Sequence, residues 1–88
     1  MSGVRIVYLG KLADVAGQAS SALASSSRSF DWEALVEALR NHVNSAIAEA
    51  ACDPAVKIAL NGVIVPDRSL IEARHGDEVA LLPPVSGG

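Results

Sequence analysis

Apolar and polar positions alternate with period two in "VRIVYLG", which puts Val4, Ile6 and Tyr8 on one face and Arg5, Val7 and Leu9 on the other. β-branched and aromatic residues dominate the run, and the pattern predicts a strand. The following stretch, "GKLADVAGQASSALASSSRS", has a short helical pattern around Leu12 to Ala16 and then a serine-rich segment without strong periodicity. Ser20 to Ser29 reads equally as a turn with a weakly specified second strand or as a flexible loop of low complexity.

From Asp31 the period changes. Trp32, Leu35, Val36, Leu39, Val43 and Ile47 recur at the spacing of an amphipathic helix, with Asp31 or Ser29 as candidate N-cap. Asn41, Asn44 and Ser45 weaken that pattern, and Pro54 cannot donate the hydrogen bond that would extend it. A break or irregular turn is therefore expected between Asn41 and Pro54.

In "VKIALNGVIVP", Val56, Ile58 and Leu60 alternate up to Asn61-Gly62, and Val63 to Val65 follow. Asn-Gly tolerates the positive φ angles of a type I′ turn, so an antiparallel hairpin is predicted. Beyond the turn-like "PDRS" and "EARHGD", the last apolar run is "EVALLPP", which Pro83 ends by removing a ladder donor.

One main helix between two strand pairs predicts an α+β domain with the helix on one face of a sheet. Val4, Ile6, Tyr8, Ile58, Leu60, Val79 and Leu81 would then face the helix. Arg5, Lys57 and Glu78 mark the outer face, and the same parity sends Val7, Leu9, Ala59, Ala80 and Leu82 outward beside them. If the first and last strands are neighbours, Leu9 and Leu82 form an exposed apolar patch suited to docking another protein. Isolated surface leucines, or a central strand covered by loops, would be the unremarkable alternative.

The chain has 88 residues, enough for one small domain. Half are hydrophobic but only 3% are aromatic, so Val, Leu, Ile and Ala must fill the core. A net charge of −3 without a basic cluster argues against nucleic acid as a direct partner. The lone Cys52 can make no intramolecular disulfide and has no companion cysteine for a zinc or iron-sulfur site, so it reads as a buried or incidental thiol. His42 on the helix and His75 in the "RHGD" turn do not define a catalytic pair. No run reaches a membrane-spanning length and the N-terminus lacks the regions of a secretory signal, which makes the cytoplasm the expected location and a membrane an unexpected partner.

The last six residues, "PPVSGG", carry the candidate chemistry. Pro83 and Pro84 favour a stiff extended stretch, and the six residues reach at most about 20 Å. Gly87 and Gly88 present no side chains, so their backbone could thread a channel closed to other residues. A carboxylate on Gly88 is unreactive until activated, for example as a mixed anhydride with AMP, after which a thiol, persulfide or amine can attack it. The chain has no glycine-rich nucleotide loop, metal cluster or nucleophile-base pair of its own, so that activation belongs to a partner enzyme. The predicted organisation is a domain over residues 1–82 and an extended, flexible tail over 83–88.

"NGVIVP" and above all "GDEVALLPPVSGG" resemble the MoaD family, the small sulfur-carrier subunit of molybdopterin synthase; "VRIVYLGKLADVAG" and "DWEALVEALR" resemble its first strand and helix. The resemblance implies a β-grasp, ubiquitin-like fold with a mixed sheet. It implies that Gly88 is adenylated by an E1-like adenylyltransferase, with ATP used by that enzyme, and then thiocarboxylated by way of a sulfur donor enzyme. The tail would enter the large catalytic subunit of molybdopterin synthase and give its sulfur to cyclic pyranopterin monophosphate. By that resemblance Gly87 and Gly88 are the reactive tail, Pro83, Pro84, Val85 and Ser86 its spacer, and Leu82 an apolar contact residue with Leu9 beside it. No metal or cofactor need bind this chain. Leu81 and Leu82 are aliphatic where the family often has aromatic residues. Two alternatives remain: a related carrier or modifier serving thiamine, cysteine, tRNA thiolation or lysine conjugation, and a plain β-grasp interaction module.

Overall fold

The computed structural model describes residues 3–24 and 29–84. In chain order they form β1 (Val4–Tyr8), α1 (Lys11–Ala16), β2 (Ser20–Leu23), β3 (Ser29–Phe30), α2 (Trp32–His42), α3 (Ser45–Ala51), β4 (Lys57–Leu60), β5 (Val63–Ile64), a 3-10 turn (Arg68–Leu70), β6 (Ala73–Arg74) and β7 (Glu78–Leu82). Five strands make one sheet in the order β2-β1-β7-β4-β5, and β3 pairs with β6 in a separate two-stranded ladder. β1 and β7 run parallel, whereas β1–β2, β4–β7 and β4–β5 are antiparallel. The sheet is thus mixed, and β7 lies at its centre.

The period-two pattern of β1 sets which residues are buried. Val4, Ile6 and Tyr8 are buried with Ile58, Val79 and Leu81 on one face, against Leu35, Leu39 and Ile47 of the helices. This is the β-grasp fold, built as expected from strands that alternate and a helix that covers one side. The Asn61-Gly62 hairpin also has its expected geometry: both residues have positive φ, 51° and 84°, and Leu60 pairs with Val63.

Several expectations change in detail. The main helix expected from Asp31 is divided into α2 and α3, and the short helical pattern around Leu12 to Ala16 is α1. Asp31 caps α2 by accepting a hydrogen bond from the Ala34 amide at 2.8 Å. The break expected after Asn41 falls at Val43-Asn44, and Ile47 belongs to α3. Asn44 makes the break productive: its Oδ1 accepts from the Ile47 amide at 2.7 Å, capping α3, and its Nδ2 donates to the Val15 carbonyl at 3.1 Å. One side chain therefore starts α3 and fastens α1 to it.

The serine-rich segment is a strand over Ser20–Leu23, with Leu23 buried and the other three residues more open; residues 25–28 lie outside the described residues. Ala59, expected to face solvent, is only 5% exposed. It sits opposite Ala80 on one side and Ile64 on the other, so its neighbours close over a side chain of one carbon. Arg68 holds the loop after α3: its guanidinium donates to the Ala51 and Val56 carbonyls and lies 5.2 Å from the Trp32 ring centre.

Candidate functional site

The outer face of the sheet is built from cross-strand rows. Near the start of β7, Arg5 stands between Ala22 and Glu78. The next row runs Ser20, Val7, Ala80, Ala59, Ile64 across all five strands. At the end of β7, Leu82 pairs with Lys57, and Leu9 follows the Tyr8–Leu81 pair on the neighbouring strand. Arg5 and Glu78 occupy the face at the start of β7, and Leu9 and Leu82 lie beside Lys57 at the end where the chain leaves the sheet.

With β1 and β7 as neighbours, Leu9 is 40% exposed and Leu82 half-buried. Lys57 adds an exposed ammonium beside it. Ile64, 47% exposed, extends the apolar surface to the sheet edge.

The two ends of β7 are fixed differently. At its start, Asn61 Nδ2 donates to Asp77 Oδ1 at 3.0 Å, Asn61 Oδ1 accepts from the Glu78 amide at 2.8 Å, and Asp77 Oδ2 accepts from the Arg74 amide at 2.8 Å. The hairpin turn is thereby bound to the turn before β7. The Arg74 amide, then the Asn61 side chain, hold the Asp77 carboxyl below the ordinary aspartate pKa of 3.8, because both bonds favour its charged form.

At the other end the ladder continues to the Leu9 amide, which donates to the Leu81 carbonyl at 3.1 Å. Beyond it stand Gly10, after β1, and Pro83, after β7. Gly10 has φ 57° and ψ −133°, and a Cβ built on it would lie 3.0 Å from Pro83 Cγ and 3.9 Å from Pro83 Cδ. Glycine is needed here on both counts, for backbone angle and for space.

Pro83 and Pro84 follow β7 outside any strand. The other expected tail residues, Val85, Ser86, Gly87 and Gly88, lie outside the described residues. Gly10 carries no mark in the hydrophobic pattern; its position where a strand pattern meets a helical one was the only available signal. Cys52, expected to be buried or incidental, is exposed. It borders an open groove of about 400 Å³ lined also by Trp32, Glu33, Val36, Glu37 and Arg40. His42 and His75 are both exposed, at the end of α2 and in the turn before β7. Among the described residues no three His, Cys, Asp or Glu side chains are grouped to hold a metal ion, and no helix is long and apolar enough to cross a membrane.

The fold has close counterparts among solved structures. The solution structure of the HVO 2177 protein of Haloferax volcanii superposes with a TM-score of 0.74 at 22% identity, covering 97% of this chain and 85% of that one. The crystal structure of SAMP1 from Haloferax volcanii gives 0.69 at 24% identity, covering 97% and 98%. A Pyrococcus furiosus protein provisionally assigned as molybdopterin converting factor, subunit 1, gives 0.68 at 22% identity, covering 93% and 97%. At these identities the likeness is one of fold. No curated protein matches by sequence. The ThiS family pattern, however, matches residues 6–88, from β1 through the final Gly-Gly. With nearly the whole chain matched, this protein belongs to the ThiS family of ubiquitin-like sulfur carriers and modifiers.

Proposed function

We propose that this chain is the sulfur carrier of molybdopterin synthase, in which Gly88 is the carboxyl terminus that is activated and loaded. The observation that supports it most is the joining of an apolar docking face to a proline-stiffened exit at one end of β7, within a family match that runs through Gly88. An E1-like adenylyltransferase binds the sheet face at Leu9 and Leu82 and receives the tail. There the Gly88 carboxylate attacks the α-phosphate of ATP, forming the acyl adenylate and releasing pyrophosphate. Hydrosulfide delivered by a donor enzyme then attacks the acyl carbon, the C–S bond forms as the bond to AMP breaks, and a thiocarboxylate is left. The large synthase subunit takes the same tail, with Pro83 to Ser86 as spacer and Gly87 in the narrowest part, and passes the sulfur to the pterin precursor.

In this reading the chain contributes geometry and one carboxylate, while the nucleotide and the catalytic groups stay with its partners. The "LLPPVSGG" ending favours the molybdenum-cofactor acceptor. The likeness in fold to a small archaeal modifier protein of Haloferax volcanii keeps in view the reading as a protein modifier, for which the acceptor would be a lysine amine.

Intact mass after incubation with activating enzyme, ATP and a sulfur donor tests the chemistry. The expected result is a gain equal to one oxygen replaced by one sulfur, absent when Gly87 and Gly88 are deleted from a normally folded chain. Unchanged pathway activity after that deletion would overturn the carrier reading, and recovery of lysine-linked adducts in place of the thiocarboxylate would favour the modifier.

A further inference from the structure

Gly10 and Pro83 meet at the point where two parallel strands stop being paired. The last ladder bond between them runs from the Leu9 amide to the Leu81 carbonyl; Gly10 follows directly on one side, and Leu82 then Pro83 on the other. Pro83 offers no amide, so the ladder cannot draw the segment after Leu82 along β1. Past the ladder the Pro83 ring stands on the side of Gly10 where a side chain would project, 3.0 Å from the position a Cβ would take.

The surface under that ring is firmly held. Gly10 is the N-cap of α1 and has no capping side chain; its unusual backbone angles turn the chain from β1 directly into the helix. The Gly10 carbonyl accepts from the Ala13 amide at 3.2 Å, and the far end of α1 is tied by Asn44 to the Val15 carbonyl. Leu12 and Ala16 bury the inner side of α1 in the core. The corner that supports Pro83 is thus fixed at three places, whereas the sheet face below it is fixed by the ladder.

We infer that Gly10 is a positioning residue: by seating the Pro83 ring it sets the direction in which the C-terminal segment leaves the sheet, and so the alignment of Gly88 with an activating enzyme's channel. This rests on the carrier function proposed above. A stiff proline pair holds a direction only if its first ring is itself oriented, and an orientation needs a wall at van der Waals distance. A side chain at position 10 would place a carbon at 3.0 Å from Cγ, so the ring would have to give by a few tenths of an ångström at the root of the segment that follows it.

Three substitutions separate the seat from general stiffness. Pro83→Ala removes the ring but leaves Gly10 unstrained; Gly10→Ala fills the seat; Pro84→Ala removes the neighbouring ring without touching it. In ATP-pyrophosphate exchange with the activating enzyme, Pro83→Ala and Gly10→Ala are each expected to lower kcat by about tenfold with KM within about twofold, since docking through the sheet face is retained. Pro84→Ala is expected to have the smaller effect. Equal effects of Pro83→Ala and Pro84→Ala, or a rise in KM at constant kcat, would overturn the inference.

A second measurement does not depend on the carrier function. In a Cys52→Ser background, spin labels at Arg5→Cys and Val85→Cys report the exit direction by pulsed electron resonance. The distance distribution is expected to broaden or shift with Pro83→Ala, and with Gly10→Ala if that variant folds. Unaltered distributions would overturn the seat, whatever the enzyme assay shows. A wild-type chain that no activating enzyme adenylates, but whose distribution responds to Pro83→Ala, would reject the carrier reading and leave the seat standing.

Discussion

Asp77 shows how much one half-buried aspartate can organise. It accepts from Asn61 and from the Arg74 amide, and it is these bonds that lower its pKa. A carboxyl lowered on folding stabilises the fold at pH above its unfolded value, and the contribution disappears as pH falls through the folded value. Asp77→Asn is therefore expected to lower Tm near neutral pH, by an amount that shrinks as the pH falls through the folded value of the wild-type carboxyl. Thermal melts of the two proteins across that range check the sign; a difference that grows on acidification would contradict it. Asn61 was readable in the sequence as a turn residue because Asn-Gly demands positive φ. Its second role, binding Asp77 and Glu78 across the sheet, was not, since a pairing over this sequence distance leaves no periodic trace.

Among the elements, α3 depends most on a single side chain. Asn44 looked like a weak point in an amphipathic pattern, and in the structure it is the cap that restarts the helix and the link to α1. Asn44→Ala is expected to lose the cap and the link together, about 1–2 kcal/mol of stability. For a domain of this size that is a fall of roughly 5–15 °C in Tm. Asn44→Asp, which can still accept from Ile47 but cannot donate to Val15, is expected to recover part of the loss; no recovery would assign the whole effect to the link.

The same scale shows which elements sequence could reveal. β1, α2, the β4–β5 hairpin and β7 each carry a period or a turn dipeptide strong enough to stand alone. β3 and β6 are two residues each, too short for alternation, and they form because Phe30 and Ala73 are brought together under the core. β2 was ambiguous for a related reason: serines give no apolar alternation, and only Leu23 inserts into the core. Ala59 was placed outward correctly by parity, but its burial depends on the neighbours Ala80 and Ile64, which parity does not count.

On the scale of the whole molecule, the fold separates stability from recognition by face. The inner face holds the buried aliphatic residues, while Leu9 and Leu82 remain available at the end where the tail begins. On the proposed function, Leu82→Asp is expected to weaken binding to the activating enzyme by about tenfold or more, equivalent to about 1.4 kcal/mol. Its Tm is expected to fall by less than about 5 °C, since the residue is outside the core. Titration calorimetry beside thermal melts distinguishes the outcomes, and a large loss of stability with normal affinity would make Leu82 a core residue. The existence and place of this patch followed from strand parity once β1 and β7 were neighbours. That adjacency is parallel and joins the two ends of the described chain, so only the folded topology could supply it.

The parallel pairing of β1 with β7 also has a mechanical meaning. Traction on the C-terminal segment against the N-terminal strand slides the two strands past each other, so the hydrogen bonds of that ladder are loaded side by side instead of being peeled apart in turn. A handle attached to the central strand can in this way transmit a pull to the body without unravelling it from the end.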